Sequence, residues 1–343
     1  MKTARWTILL CLLLLFTACS KTEEETEAPP TEPVTEEVTE PETEEVTEPE
    51  TEPETEAAAE PERMFSERYP IAVMVDNHPD ALPQSGLQNA EIIYEMQGEG
   101  RLTRLLVVTD EDAGEIGPVR SARPAFLNFV AEHEAFYLHV GNFEYVQASP
   151  IGDRIKDMDQ FLHAGGAYYR VDRKVPPHNM YADIGALYAA AEQEDYELNP
   201  AEEYGYLRSP AAELPEGEPG ESVALTYDEY LYQRYEFEEE KNGYVKFIND
   251  EPVVDEQTDE PLVITSYILL QLDHTLMENN VHFSIADVGE GEATLYHGGR
   301  QIPITWEREA NGEPMVFQID GEEIVFPDGL LYIQIIPEWV QAQ

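Results

Sequence analysis

Seven of the fourteen arginines lie between residues 101 and 173, at Arg101, Arg104, Arg120, Arg123, Arg154, Arg170 and Arg173, in a chain of formal charge −51. A guanidinium is a planar fork of donors that grips carboxylates and phosphates bidentately. Its crowding here marks either an anion site or a buried ionic network with Asp76, Glu91, Glu95 or Asp172. Arg120-Ser121-Ala122-Arg123-Pro124 precedes an expected helix, so Arg120 and Arg123 would flank unpaired backbone N–H groups, a setting suited to a carboxylate or phosphate. Arg170 and Arg173 stand shortly before Pro176-Pro177-His178-Asn179. His78, His139 and His178 fall at expected strand ends or in that proline-rich loop. Asp76 with His78 offers an acid–base pair or two metal ligands, against the plainer role of hydrogen-bonding loop residues. No complete metal-ligand set is assigned, and no cofactor.

The common catalytic motifs are missing. There is no phosphate-cradling loop ending in Lys-Ser/Thr, no G-x-S-x-G turn, and no S-x-x-K pair in the folded region. His133-Glu134 opens like a zinc-protease helix, but Tyr137 and Leu138 stand where a second histidine would be needed. With 71 acidic against 20 basic residues, a nucleic-acid partner is excluded, because a phosphate backbone requires a basic face. The only cysteines are Cys11 and Cys19, which removes a disulfide framework, a cysteine metal site and a cysteine nucleophile from the folded part.

The elements that must position these residues are legible from apolar patterning. Residues 71–75 read as a buried strand that delivers Asp76, Asn77 and His78 at its end. Residues 91–95 and 102–109 read as a hairpin turning around Gly98-Glu99-Gly100. A helix is expected from Pro124 to about Glu134, a strand over 136–140 closed by Gly141, and a second helix from about Ala182 to Glu194. Residues 213–220 read as a linker. Beyond it the chain is strand-rich, with a hairpin over 232–238 and 244–248 around Asn242-Gly243. Further strands are expected at 262–270, 282–285, 293–296, 302–306, 315–319 and 331–336. Trp306, Tyr296 and Tyr332 read as core residues rather than a carbohydrate platform. The fold class is therefore α+β: a mixed α/β N-terminal domain over 66–212 and a β-rich C-terminal domain over 222–340.

The N-terminus predicts where the protein works. A basic start, the apolar run Trp6 to Phe16 and Thr17-Ala18-Cys19 resemble a lipoprotein signal, with residues 1–18 removed and Cys19 lipidated. An acyl chain would hold the protein on the membrane rather than through it. Residues 20–62 carry 18 Glu, 7 Pro and one Lys, and the octad from Thr35 to Glu42 recurs unchanged from Thr43 to Glu50. Such a stretch buries no apolar surface, so 19–65 is expected to be an anchored, disordered tether. Residues 63–343 retain 53 acidic against 17 basic residues, a charge of −36 that fits a salty exterior or cation binding.

Longer segments add a family resemblance. Ile71 to His78, Pro83 to Leu87, Ala90 to Glu95, Leu102-Thr103-Arg104, Ile116 to Pro124, His139-Val140-Gly141 and Pro177 to Tyr181 resemble the YerB-like lipoproteins of Gram-positive bacteria. Gly291-Glu292-Ala293, Gly298-Gly299 and Thr305-Trp306 extend the resemblance into the C-terminal part. Leu82 departs from it, standing where the pattern has Arg. The resemblance implies an exported, membrane-anchored protein in two parts, with no established activity. Together the readings give a ligand-binding candidate set of Asp76, His78, Arg104, Arg120, Ser121, Arg123, His139, Arg173, His178 and Asn179. The expected partners are the membrane, through Cys19, and an anionic cell-envelope ligand. An envelope-modifying enzyme using Asp and His for acid–base chemistry is the second reading. A scaffold that docks another envelope protein is the third.

Overall fold

The computed structural model describes residues 60–163 and 166–343. The expected signal peptide, Cys19 and the acidic stretch to residue 59 lie outside the described residues. The end of the expected tether does not: Glu62–Phe65 is a strand pairing antiparallel with Tyr204–Arg208. Phe65 is fully buried in the core, and that apolar anchor starts the fold ahead of residue 66.

One large sheet organises the protein. Its strands run in the order Glu322–Glu323, Val316–Ile319, Arg300–Arg308, Gly289–His297, Ser266–Gln271, Leu331–Ile336, Ile92–Glu99, Leu102–Thr109, Ile71–Asp76, Phe136–Leu138 and Lys156–Asp157. The expected linker at 213–220 does not separate the strands of the two sequence halves. Leu331–Ile336 lies parallel to both Ile92–Glu99 and Ser266–Gln271, so the halves share a continuous hydrogen-bonded sheet. Within 213–220, Glu218–Pro219 itself pairs with Arg300–Gln301.

Both faces of this sheet are covered, which explains the unbroken apolar run from Ile71 to Val75 in the strand Ile71–Asp76, where every residue is buried. Side chains alternate between two cores with the period of two that a strand imposes. Ala72 and Met74 join Phe126, Phe129, Trp306 and Phe317, whereas Ile71, Val73 and Val75 join Leu187, Tyr235, Tyr244 and Tyr332. Tyr296, Trp306 and Tyr332 are thus core residues, as expected. A second sheet, in the order Glu251–Pro252, Gly243–Ile248, Tyr232–Glu238, Ser222–Thr226 and Gln341–Ala342, supplies the second core with Val223, Leu225, Tyr235 and Tyr244.

Helices are short, and the protein is more strongly β than the mixed N-terminal half suggested. The expected helix from Pro124 to Glu134 is a 3-10 turn, Pro124–Phe126, followed by Leu127–Ala131. It stops early because the chain must reverse at Glu134, where φ is +46°, to enter the strand Phe136–Leu138. Ile184–Gln193, capped by the Asp183 side chain on the Ala186 N–H at 2.7 Å, matches its expectation. The expected strand over 262–270 divides at Thr265: Val263–Ile264 pairs with Gly243–Ile248 and Ser266–Gln271 enters the large sheet.

Candidate functional site

Asp76 ends a strand and lies opposite Arg104 in the antiparallel register with Leu102–Thr109. Directly opposed residues point to the same face, so the pairing places carboxylate and guanidinium together. Gly98 makes room for the guanidinium stem, since a Cβ there would stand 2.7 Å from Arg104 Cγ. Asp76 Oδ1 is 3.3 Å from Arg104 Nη1 and Oδ2 is 3.2 Å from Arg120 Nε. Oδ2 also meets His178 Nδ1 at 2.7 Å, while Oδ1 accepts the His78 backbone N–H at 3.1 Å. Burial would raise the Asp76 carboxyl, but Arg104, Arg120 and these hydrogen bonds overcome it and hold the group below the usual carboxylate range. Asp76 is thus a buried anion held by two arginines and a histidine.

Glu99 extends the network. Its Oε1 lies 2.5 Å from Arg104 Nη2, and its Oε2 pairs with Arg123 Nη2. Arg123 also donates to the Ser121 carbonyl at 2.8 Å and the Ala122 carbonyl at 3.0 Å, and it is 4% exposed. Burial raises the Glu99 carboxyl, yet Arg104 and Arg123 win and hold it low. His282, from the C-terminal half, stands 3.8 Å from Glu99 Oε2 and meets Tyr145 Oη at 2.9 Å. In the sequence Glu99 marks only a hairpin turn and His282 only the start of a strand, so their part in the network carries no sequence signal.

The ionic network weighed from the sequence is therefore present, with Asp76 as expected and Glu99 in place of the other named partners. Glu91 pairs instead with Arg208. Glu95 pairs with Lys246 and accepts from Asn77 Nδ2 at 3.0 Å, Thr103 Oγ1 at 2.7 Å and Tyr332 Oη at 2.5 Å. The 3-10 turn and five-residue helix after Arg123 offer no helix terminus long enough to supply an anion with a dipole of its own.

His78 and His178 come together although 100 residues part them in the chain. Their rings stack with centroids 4.7 Å apart. Lys174 ties the two loops, its Nζ donating to the carbonyls of Ala81 and Pro83 at 2.7 Å each. Asp80, in the 3-10 turn that His78 caps, places its Oδ2 3.7 Å from His78 Nδ1. Nothing in the sequence singles out Asp80.

The remaining candidates make their contacts elsewhere. His139 is buried between Asp157, at 2.9 Å from Nε2, and Asp159, at 3.2 Å from Nδ1. Burial lowers its affinity for a proton, but the hydrogen bonds and charges of Asp157 and Asp159 prevail and raise it above the ordinary histidine value. Ser121 Oγ donates to the Val140 carbonyl at 2.8 Å. Arg173 pairs with Glu115 and, at 3.2 Å, with Glu256, and its guanidinium carbon stands 4.5 Å from the Tyr181 ring centre. Asn179 accepts from Arg170 Nη1 at 2.6 Å and donates to the Val171 carbonyl at 3.1 Å.

No helix among the described residues is long and apolar enough to cross a membrane. Two family models match the chain: "Protein of unknown function (DUF3048) N-terminal domain" over residues 55–197, and its C-terminal counterpart over residues 223–333. The chain is 27% identical over 281 residues to "Putative lipoprotein YerB" of Bacillus subtilis (strain 168), covering 81% of this chain and 84% of that protein. The crystal structure of YerB protein from Bacillus subtilis is similar with a TM-score of 0.71 and 26% sequence identity, across 81% of this chain and 94% of that one.

Proposed function

The chain belongs to the DUF3048 family, and we propose that it is a lipid-anchored, extracytoplasmic binding protein that captures an anionic envelope ligand at the rim of the Asp76 network. The observation that carries this reading is a charge imbalance. Among the described residues, Arg104, Arg120 and Arg123 pair with Asp76 and Glu99 alone, three cations against two carboxylates. The excess positive charge has one outlet. Arg104 and Arg123 side chains are 2% and 5% exposed, whereas Arg120 is 22% exposed and stands beside the surface pair His78 and His178. A carboxylate or phosphate arriving there would meet Arg120 first, with the two imidazoles beside it. Anchoring at Cys19 and a location on the outer face of the membrane complete the reading, supported by the N-terminal sequence and by the lipoprotein name of the relative.

Purified cell-wall polymer and muropeptide fractions, titrated against the full chain, test this. Arg120→Ala is expected to weaken binding at least about tenfold, the worth of one charge-assisted contact. Arg154→Ala, at an exposed pair with Glu313, is expected to change nothing. Equal binding by both variants removes the proposal.

A second reading rests on Asp76 Oδ2 and His178 Nδ1 at 2.7 Å. A carboxylate that fixes an imidazole in this way leaves the other ring nitrogen available to accept a proton. Hydrolysis of a wall fraction that disappears in His178→Ala would favour it over capture alone.

A further inference from the structure

We propose that His78, His178 and Asp80 form a binding site for a divalent transition metal of the zinc class. One ligand atom from each of the three lies within 4.8 Å of the others. Two imidazoles and a carboxylate form a set suited to zinc, and three protein ligands leave the fourth position of a tetrahedral ion open. Ligand atoms about 2.1 Å from such an ion stand about 3.4 Å apart, so closure needs only a small movement. Asp80, with a side chain 76% exposed, is free to make it.

The surroundings of His178 are those of a prepared ligand. Asp76 binds His178 Nδ1 at 2.7 Å, which directs the lone pair of Nε2 away from the buried carboxylate. A carboxylate behind a ligating histidine sets its tautomer and ring orientation and strengthens it as a ligand. His78 is fixed differently, by its backbone N–H on Asp76 Oδ1 and by its Nδ1 accepting the Asp80 N–H, each at 3.1 Å, which leaves Nε2 as the nitrogen to meet the metal. One buried carboxylate thus orients both loops, and Lys174 fastens the His178 loop to the turn that carries Asp80.

The metal deepens the proposed capture of an anion, because an open coordination position beside Arg120 would give the ligand a second positive partner. The two proposals nevertheless fail separately, since metal uptake is measured with no anionic ligand present.

Full chain is stripped with a chelator, dialysed against zinc chloride, and its metal content measured; cobalt substitution then reports geometry through its visible absorption. One equivalent of zinc is expected, with the intense visible bands of tetrahedral cobalt. His78→Ala, Asp80→Ala and His178→Ala are each expected to weaken zinc at least tenfold and abolish those bands. His163→Ala, whose ring pairs with Glu194 instead, is expected to leave both unchanged. Asp76→Asn, a positioning change, is expected to weaken zinc about 10–100-fold while the bands survive at saturating cobalt. His78 and Asp80 lie in a surface turn, so their variants remain folded by circular dichroism and decide the matter even where Asp76→Asn does not fold. Fewer than half an equivalent on the unaltered chain overturns the proposal. So does unchanged uptake in His78→Ala and Asp80→Ala, or cobalt spectra with octahedral, oxygen-only character.

Discussion

Asp76 and Arg104 face one another across adjacent antiparallel strands, Oδ1 to Nη1 at 3.3 Å, and neither side chain reaches solvent appreciably. Arg104 also meets Glu99 at 2.5 Å, so one buried cation serves two carboxylates. Removing it leaves the buried Asp76 and the partly exposed Glu99 each short of a partner, which is far costlier than losing a surface pair. Arg104→Met is therefore expected to cost about 3–5 kcal/mol, read as a fall in melting temperature on the order of 10 °C. A variant that melts within about 2 °C of the parent would show that the network is not coupled to the fold.

His139 gives the protein a pH dependence of definite sign. Asp157 and Asp159 raise its proton affinity above the ordinary value of 6.5. The stabilisation is fully present below that value and is lost as pH rises through the higher folded value. Melting temperature is expected to drop on the alkaline side of 6.5, and His139→Gln is expected to flatten that limb. On the acid side Asp159 acts in the opposite sense: burial opposes its ionisation, but His139 and backbone N–H groups hold its carboxyl below 3.8, so stability falls as pH drops below that. Thermal melts of both proteins across the two limbs check the signs. An alkaline slope that persists in the variant assigns it to another group.

The pair Glu95 and Lys246 joins the large sheet to the second sheet in the interior, with Gln233 Nε2 on Glu95 Oε1 at 2.7 Å and Tyr332 Oη on Oε2 at 2.5 Å. Lys246→Met strands a buried carboxylate and is expected to cost about 3–5 kcal/mol. Glu95→Gln removes the matching charge while retaining amide partners for Gln233 and Tyr332. The double variant is expected to be more stable than the sum of the singles by about 1–3 kcal/mol. Denaturant unfolding of all four proteins measures that difference, and simple additivity would show that the charges do not interact.

Local pattern revealed most of the strands and their turns, but not what each half of the chain covers. Ile71–Asp76, the hairpin Ile92–Glu99 with Leu102–Thr109, and the turn at Asn242 follow from apolar runs and turn residues. The parallel placement of Leu331–Ile336 against Ile92–Glu99 depends on residues more than 200 positions apart, and nothing in a local window encodes it. For the same reason the arginine cluster was visible while its second carboxylate was not. Glu99 occupies the bend of a hairpin, where an acidic residue is ordinarily solvated; only the burial of Arg104 and Arg123 beneath it turns it inward. Asp80 was obscured differently: its partners His78 and His178 meet through a loop-to-loop contact made by Lys174.

Arg120 and Arg123 sit three residues apart in one loop and are expected to respond differently to the same substitution. Arg123 is buried, bonded to two backbone carbonyls and to Glu99. Arg123→Ala removes those contacts and opens space, so it is expected to destabilise the fold by about 3 kcal/mol or more. Arg120 has one buried partner, Asp76, which retains Arg104 and His178 when Arg120 is lost, and its Nη1 makes only a long 3.3 Å contact to the Pro177 carbonyl. Arg120→Ala is expected to cost about 1 kcal/mol, because the anion it leaves is still paired. Parallel melts and titrations with wall fractions then separate folding from recognition: Arg123→Ala lowers the melting temperature, whereas Arg120→Ala loses affinity at nearly parental stability. If Arg120→Ala instead loses both together, the rim arginine belongs to the fold and the excess charge of the network has no outlet to a ligand.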